Sequence, residues 1–216
     1  MKITVITADI IESRKNPDYN KQLTDELLKL RHPGIISPFS ISRGDEIQGV
    51  VEGWLMQPEL IRNLRYICRP CRLRIGIGIG FTGPELINSN SWSMNGPAFH
   101  LARSAVEEAH KLKGSSTVIK TGMDEFDSFI NCICLLIDTI QKKWTDEQWE
   151  AVQAYEKWGT YEEASKYLDI AMQNVQKRCK AANWKQLSEA ENTLKNVQSF
   201  LESLHPLKGE NDNFTF

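Results

Sequence analysis

Two aspartates are the first residues here whose placement suggests chemistry. Asp9 follows an alternating β-branched run, and Asp45 sits in the tight turn Arg43-Gly44-Asp45-Glu46 between two strand-like segments. If the first strand lies beside the third, the end of one and the turn before the other meet at one edge of the sheet. Two carboxylates there repel unless a cation lies between them, which is how Mg²⁺ is commonly held with substrate phosphates. Asp9 and Asp45 are therefore the candidate ligands of Mg²⁺ or Mn²⁺; the alternative is a loop cap and an ordinary turn Asp. Gly76, Gly78 and Gly80 alternate along one strand face, where they admit either a close helix or a nucleotide. With Gly44 and Arg74 they form the candidate nucleotide contacts. Arg62, Arg65, Arg69, Arg72 and Arg74 make a basic run without acids, facing phosphates, nucleic acid or solvent.

Other motifs carry less. Gly78-x-Gly80-x-x-Gly83 has the spacing of a dinucleotide fingerprint, but no helix begins inside it and no acid follows between Ala98 and Arg103. Cys68-Arg69-Pro70-Cys71 closes a helix before a strand, whereas redox CxxC motifs open a helix after one, and no second ligand pair of zinc spacing exists. His100 and His110 read as single structural histidines on a helix.

The elements that must position these residues follow from periodicity. Strands are expected at Lys2–Ala8, Phe39–Ser42, Ile47–Trp54, Leu73–Gly80 and Ser116–Lys120, and helices at Asp18–Leu30, Pro58–Cys68 and Pro97–Lys113. The first six spell βαββαβ, the ferredoxin-like order, so the fold class is α+β. Asp124–Lys143 is expected as a helix linking two domains, with Phe126, Phe129, Ile130, Ile133, Leu136, Ile137 and Ile140 on one stripe. No strand signal follows it. The expected divisions are 1–122, a linking helix 123–143, a helical domain 144–187, a helix 188–205 and a polar tail 206–216.

The helical domain reads as a helix-turn-helix. Thr145 and Thr160 are helix caps, Ala164 is small where two helices cross, and Leu168, Ile170 and Val175 fill the elbow. Charge is segregated: Trp144–Ile170 is acid-rich, whereas Ala171–Lys185 holds Lys177, Arg178, Lys180 and Lys185 and no acid. Gln173, Asn174 and Gln176 beside Lys177, Arg178 and Lys180 combine base-edge readers with phosphate holders, so double-stranded DNA is the expected partner. A protein-docking unit with a solvated basic helix is the other reading. Leu187, Ala190, Leu194, Val197, Leu201 and Leu204 form a heptad seam, either packed on the chain itself or joining a homodimer.

Three resemblances bear on this. The segment from Tyr161 to Val175 resembles the helix-turn-helix pattern of bacterial regulators and sigma-factor C-terminal domains, with Asp169 at the usual turn Gly and Ala171 at the usual capping Ser. "ITADIIES", "SRGDEIQGVV" and "LRIGIGIG" resemble class III nucleotide cyclases and, more distantly, GGDEF-type diguanylate cyclases. That resemblance implies metal binding by Asp9 and Asp45 and a transition-state role for Arg103. Phe99 stands where those enzymes carry Asn. Together with "NGPAFHLARSA" and "WTDEQWEAV…EEASKYLDI", these segments are similar to the bacterial SatD family over residues 1 to about 187. The similarity implies a cyclase-like domain joined to a C-terminal helix-turn-helix. The leading expectation is a transcriptional regulator whose degenerate cyclase-like domain senses a nucleotide or metal; an enzyme acting on nucleoside triphosphates and a dimeric protein-interaction adaptor are the alternatives.

Bulk properties exclude rather than identify. A net charge of -2 over 216 residues means that any nucleic-acid affinity must come from a local surface. The longest apolar stretch, Phe129–Ile140, is interrupted by Asn131 and Asp138 and is too short to span a bilayer. No signal-peptide pattern opens the chain, so a cytoplasmic location with five reduced thiols is expected.

Overall fold

A computed structural model describes residues 1–11, 19–42, 45–54, 58–82, 90–112 and 116–204, with side chains omitted at 19–22 and 198–204. The expected Gly44 contact, the loop from Gly83 and the tail from His205 lie outside the described residues. The elements are β1 (Lys2–Ile11), α1 (Tyr19–Lys29), β2 (Ile35–Ser42), β3 (Glu46–Glu52), α2 (Pro58–Ile67), β4 (Arg72–Phe81), α3 (Pro97–Lys111), β5 (Ser116–Lys120), α4 (Asp124–Gln141), α5 (Asp146–Trp158), α6 (Tyr161–Leu168), α7 (Met172–Ala181) and α8 (Trp184–Leu204). The class is α+β. One five-stranded mixed sheet has the order β2-β3-β1-β4-β5, with only the β4–β5 pair parallel.

β1 is central and covered on both faces, which explains its near-continuous burial and the hydrogen bonds of Thr4 to the Gly53 carbonyl and Thr7 to Gln48. β2 starts earlier than its sequence suggests because Pro38 argues against a strand. Pro38 is tolerated because β2 is an edge strand whose pairing with β3 shifts register twice around it.

α3 lies on the face that carries Ile3, Val5 and Val50, burying Ala98 and Ala102 against them. The strand glycines exist for this contact. A Cβ on Gly78 would fall 2.0 Å from the Ala98 carbonyl oxygen, and one on Gly76 would fall 2.4 Å from that of Ala102. Gly80 is looser, with its nearest contact at 3.3 Å. The expectation that these three glycines approach a nucleotide is therefore corrected: helix backbone fills that space.

α4 does more than link. Strand β5 would be an open edge, and polar side chains of α4 close it. Asn131 accepts from the Ile119 N–H at 2.7 Å and donates to its carbonyl at 2.9 Å, while Asp138 accepts from the Thr117 N–H at 2.5 Å and Asp127 from that of Thr121 at 2.9 Å. The polar interruptions of the apolar stretch are thus the contacts that seal the sheet.

The opposite face packs Leu23 and Leu27 of α1 and Leu60 and Leu64 of α2 into a core that continues without a break into Trp144, Trp149, Val152, Val175 and Leu187 of the C-terminal helices. Here the described part of the heptad seam is corrected as a dimer contact; the side chains of Leu201 and Leu204 lie outside the described residues. Leu187 and Leu194 are buried in the chain's own core, and Ala190 and Val197 pack on the same cluster.

Candidate functional site

The C-terminal helices are set by local sequence rules. Thr145 and Gln148 form a reciprocal capping box at the start of α5, and Gly159 ends it in the left-handed region at φ 76°. Thr160 caps α6, its hydroxyl accepting from the Glu163 N–H at 3.2 Å. Asp169 then turns the chain at φ 52° and ψ 46°, and α7 starts at Ala171 without a side-chain cap. Ala164, Val175 and Cys179 are buried between the three helices, with Leu168 and Ile170 packed at their margin. Trp144 meets Trp149 edge-on at 4.6 Å and donates its indole N–H to the Ala182 carbonyl, tying the far end of α7 to the start of α5.

With Val175 and Cys179 turned inward, α7 shows solvent Gln173, Asn174, Gln176, Lys177 and Lys180, with Arg178 half-buried. The six residues singled out from sequence therefore lie on one short helix. The acids of the unit sit elsewhere: Glu162 and Glu163 hold Lys166 on α6. Glu147, at the start of α5, is held below the usual carboxylate range chiefly by the Thr145 hydroxyl, with a smaller contribution from Arg178.

The second candidate lies at the end of β1. Asp9 is in register with Glu46 on one side and Arg74 on the other, and the Ile10 N–H donates to the Asp45 carbonyl at 2.9 Å. The two predicted aspartates are thus neighbours. Basic side chains of α3 lie over this end of the sheet, however. His110 of α3 contacts the Asp9 carboxylate, and Arg103, two turns earlier on the same helix face, reaches Glu46 at 3.5 Å. Among the described residues no group of three His, Cys, Asp or Glu side chains is placed to hold a metal. At this end of the sheet the Asp9 carboxylate meets His110 and the Glu46 carboxylate meets Arg103, so each already has a basic partner. Glu46 and His110 were not singled out as site residues. The seven-residue spacing puts Arg103 and His110 on one face of a helix, but nothing in the sequence says that this face lies against the end of β1.

The SatD family matches the chain over residues 3–197. The chain belongs to the SatD family. No curated protein matches it. Among solved structures, a regulator of polyketide synthase expression from Bifidobacterium adolescentis is similar over 95% of this chain and 82% of that one, at 8% identity and a TM-score of 0.30.

The basic run of this SatD-family chain serves neither a ligand nor a solvated face in its first half. Arg62 is 2% exposed; it pairs with Glu191 of α8 at 3.1 Å and Glu156 of α5 at 3.1 Å, and lies 4.6 Å from the Trp184 ring. Arg65 pairs with Asp138 at 2.6 Å and donates to Gln141 and Thr117. Arg69 pairs with Asp146. These arginines join the sheet to the helices, on the face opposite Asp9 and Arg74. Burial raises the carboxyls of Asp138 and Glu191, and the arginines act against that shift. Cys68 is buried with its thiol pushed up by desolvation, which makes it an inert core residue. Among the described residues no helix is long and apolar enough to cross a membrane.

Proposed function

We propose that this protein binds double-stranded DNA through α7 and acts as a transcriptional regulator. The observation that carries the reading is the outer face of α7. It is a short helix without acids, set off by a left-handed turn at Asp169, and it presents Gln173, Asn174, Gln176, Lys177 and Lys180 together. In this reading α6–α7 is a helix-turn-helix, with α7 entering the major groove. Lys177, Arg178 and Lys180 hold phosphates, and the amides read base edges. Changing Lys177 and Arg178 to Glu should weaken duplex binding by at least about 100-fold at physiological salt. Equal affinity of wild type and variant would remove the reading and leave a protein-docking unit.

The sheet region is, on the same proposal, a ferredoxin-like, cyclase-related domain that senses rather than catalyses. Strand order β2-β3-β1-β4 supports the topology. Phe99 and the pairing of Arg103 with Glu46 argue against turnover. The candidate place for an anionic ligand such as a nucleotide is the cleft of about 460 Å³ between sheet and helices, where Arg72 and Lys142 stand beside the Arg69–Asp146 pair and Glu147. Thermal unfolding with ATP or GTP, for wild type and Arg72→Glu, tests this placement. A shift that Arg72→Glu abolishes supports it, and no shift in either protein removes it.

A further inference from the structure

α4 seals β5 with one face and leaves the other bare. Phe129 is 59% exposed and Leu136 61% exposed, with exposed Cys132 between them and Leu135 beside them at 56%. Along the same line of the helix the sequence continues outward to Glu125 and to Thr139 and Lys143, all exposed. Glu125, Phe129, Cys132, Leu136, Thr139 and Lys143 are spaced 4-3-4-3-4, which is the repeat of a coiled-coil seam. Large apolar side chains in such a row, beyond the edge of the sheet, mark an interaction surface.

The charge pattern says what covers it. α4 carries Asp124, Glu125 and Asp127 in its first turn, and Lys142 and Lys143 follow its last. Laid antiparallel on a second copy, the seam is self-complementary: Glu125 faces Lys143, Phe129 faces Thr139 and Cys132 faces Leu136, each pair occurring twice about the two-fold axis. The helix dipoles also oppose favourably in this arrangement. A parallel pairing would put acid on acid and lysine on lysine.

We infer that two copies of this chain associate through the outer face of α4, antiparallel, with that register. The inference does not depend on DNA binding. The helix that carries the seam is only 18 residues, about 27 Å, long. That falls short of a standard interface of roughly 1,600 Å², so the dimer forms in a concentration-dependent way.

Sedimentation of the full chain over a concentration series tests the inference. The mass should rise from 24.7 kDa toward twice that value. Phe129→Glu with Leu136→Glu should weaken association at least about 100-fold. The thermal midpoint should stay near wild type, because both side chains are exposed. The register has its own test. Lys143→Glu alone should weaken association roughly 3- to 10-fold, and adding Glu125→Lys should restore it, since the pair is exchanged across the axis. A monomer at every concentration overturns the inference, whether residues 205–216 or another protein cover the seam. A dimer insensitive to the double Glu variant overturns it as well, and failure of the charge exchange overturns the antiparallel register.

Discussion

Replacing Arg62 by Met should show whether the sheet and the C-terminal helices are one folding unit. Met keeps the length and apolar stem of the side chain, so the change removes mainly charge and hydrogen bonds. Arg62 and Glu191 are both almost fully buried, and three of the four hydrogen bonds made by Arg62 go to Glu191. Glu156 is 40% exposed and returns to solvent at little cost. The loss is therefore that of an uncompensated buried carboxylate, about 3–5 kcal/mol. For a chain of this size that lowers the unfolding midpoint by roughly 6–20 °C.

The pH dependence of this loss has a definite sign. Burial already raises Glu191 above the ordinary carboxylate value, with Arg62 opposing the shift. Without Arg62 the folded-state value climbs further above the unfolded one. A raised carboxyl binds a proton more tightly in the folded state, so its contribution is most favourable at acidic pH and is lost as pH rises through the folded value. The deficit of Arg62→Met should thus be smaller near pH 5 than near pH 8, by calorimetry or by urea unfolding followed by fluorescence. Adding Glu191→Met should recover most of the loss. A deficit under about 1 kcal/mol, a double variant no better than the single one, or two separate unfolding transitions would refute the shared core.

Three further outcomes follow from the geometry. Gly78→Ala should lower the unfolding midpoint far more than Gly80→Ala, because only the first drives a Cβ into the α3 backbone; equal effects in a melting series would contradict the packing. Asn131→Leu should cost about 2–3 kcal/mol despite its greater apolarity, and hydrogen exchange should show the Ile119 amide losing protection, since both edge hydrogen bonds go. Adding about 10 mM Mg²⁺ or Mn²⁺ should leave the midpoint unchanged for wild type and Asp9→Asn alike; a rise seen only in wild type would restore the metal site at Asp9.

Much of the scaffold was legible because local signals agree with it. Thr145, Gly159, Thr160 and Asp169 punctuate the C-terminal helices where their chemistry demands, and the glycine alternation in β4 announced a close approach, though not by what. The misreadings share one cause, which is that one-dimensional patterns do not name their partner. The arginine run looked free because the acids that neutralise it, Asp138, Asp146, Glu156 and Glu191, are distant in sequence. The seam on α8 has coiled-coil spacing from Leu187 to Val197 because that stretch packs on the chain's own core. The stripe on α4 merged two faces: Ile130 and Ile137 point inward, while Phe129 and Leu136 point out. The aspartate pair was placed correctly at neighbouring positions, but His110 and Arg103 arrive from a helix whose position no spacing within β1 or β3 encodes.

The central claim is that α7 holds DNA. It is tested most directly by fluorescence anisotropy of a labelled duplex titrated with the full chain at a series of salt concentrations, for wild type and for Lys177→Gln and Lys180→Gln. Wild type should bind with affinity falling steeply as salt rises. Each substitution should reduce the slope of log affinity against log salt by about 1, the contribution of a single phosphate contact. A slope unchanged by both substitutions, or no binding at low salt, would contradict the account.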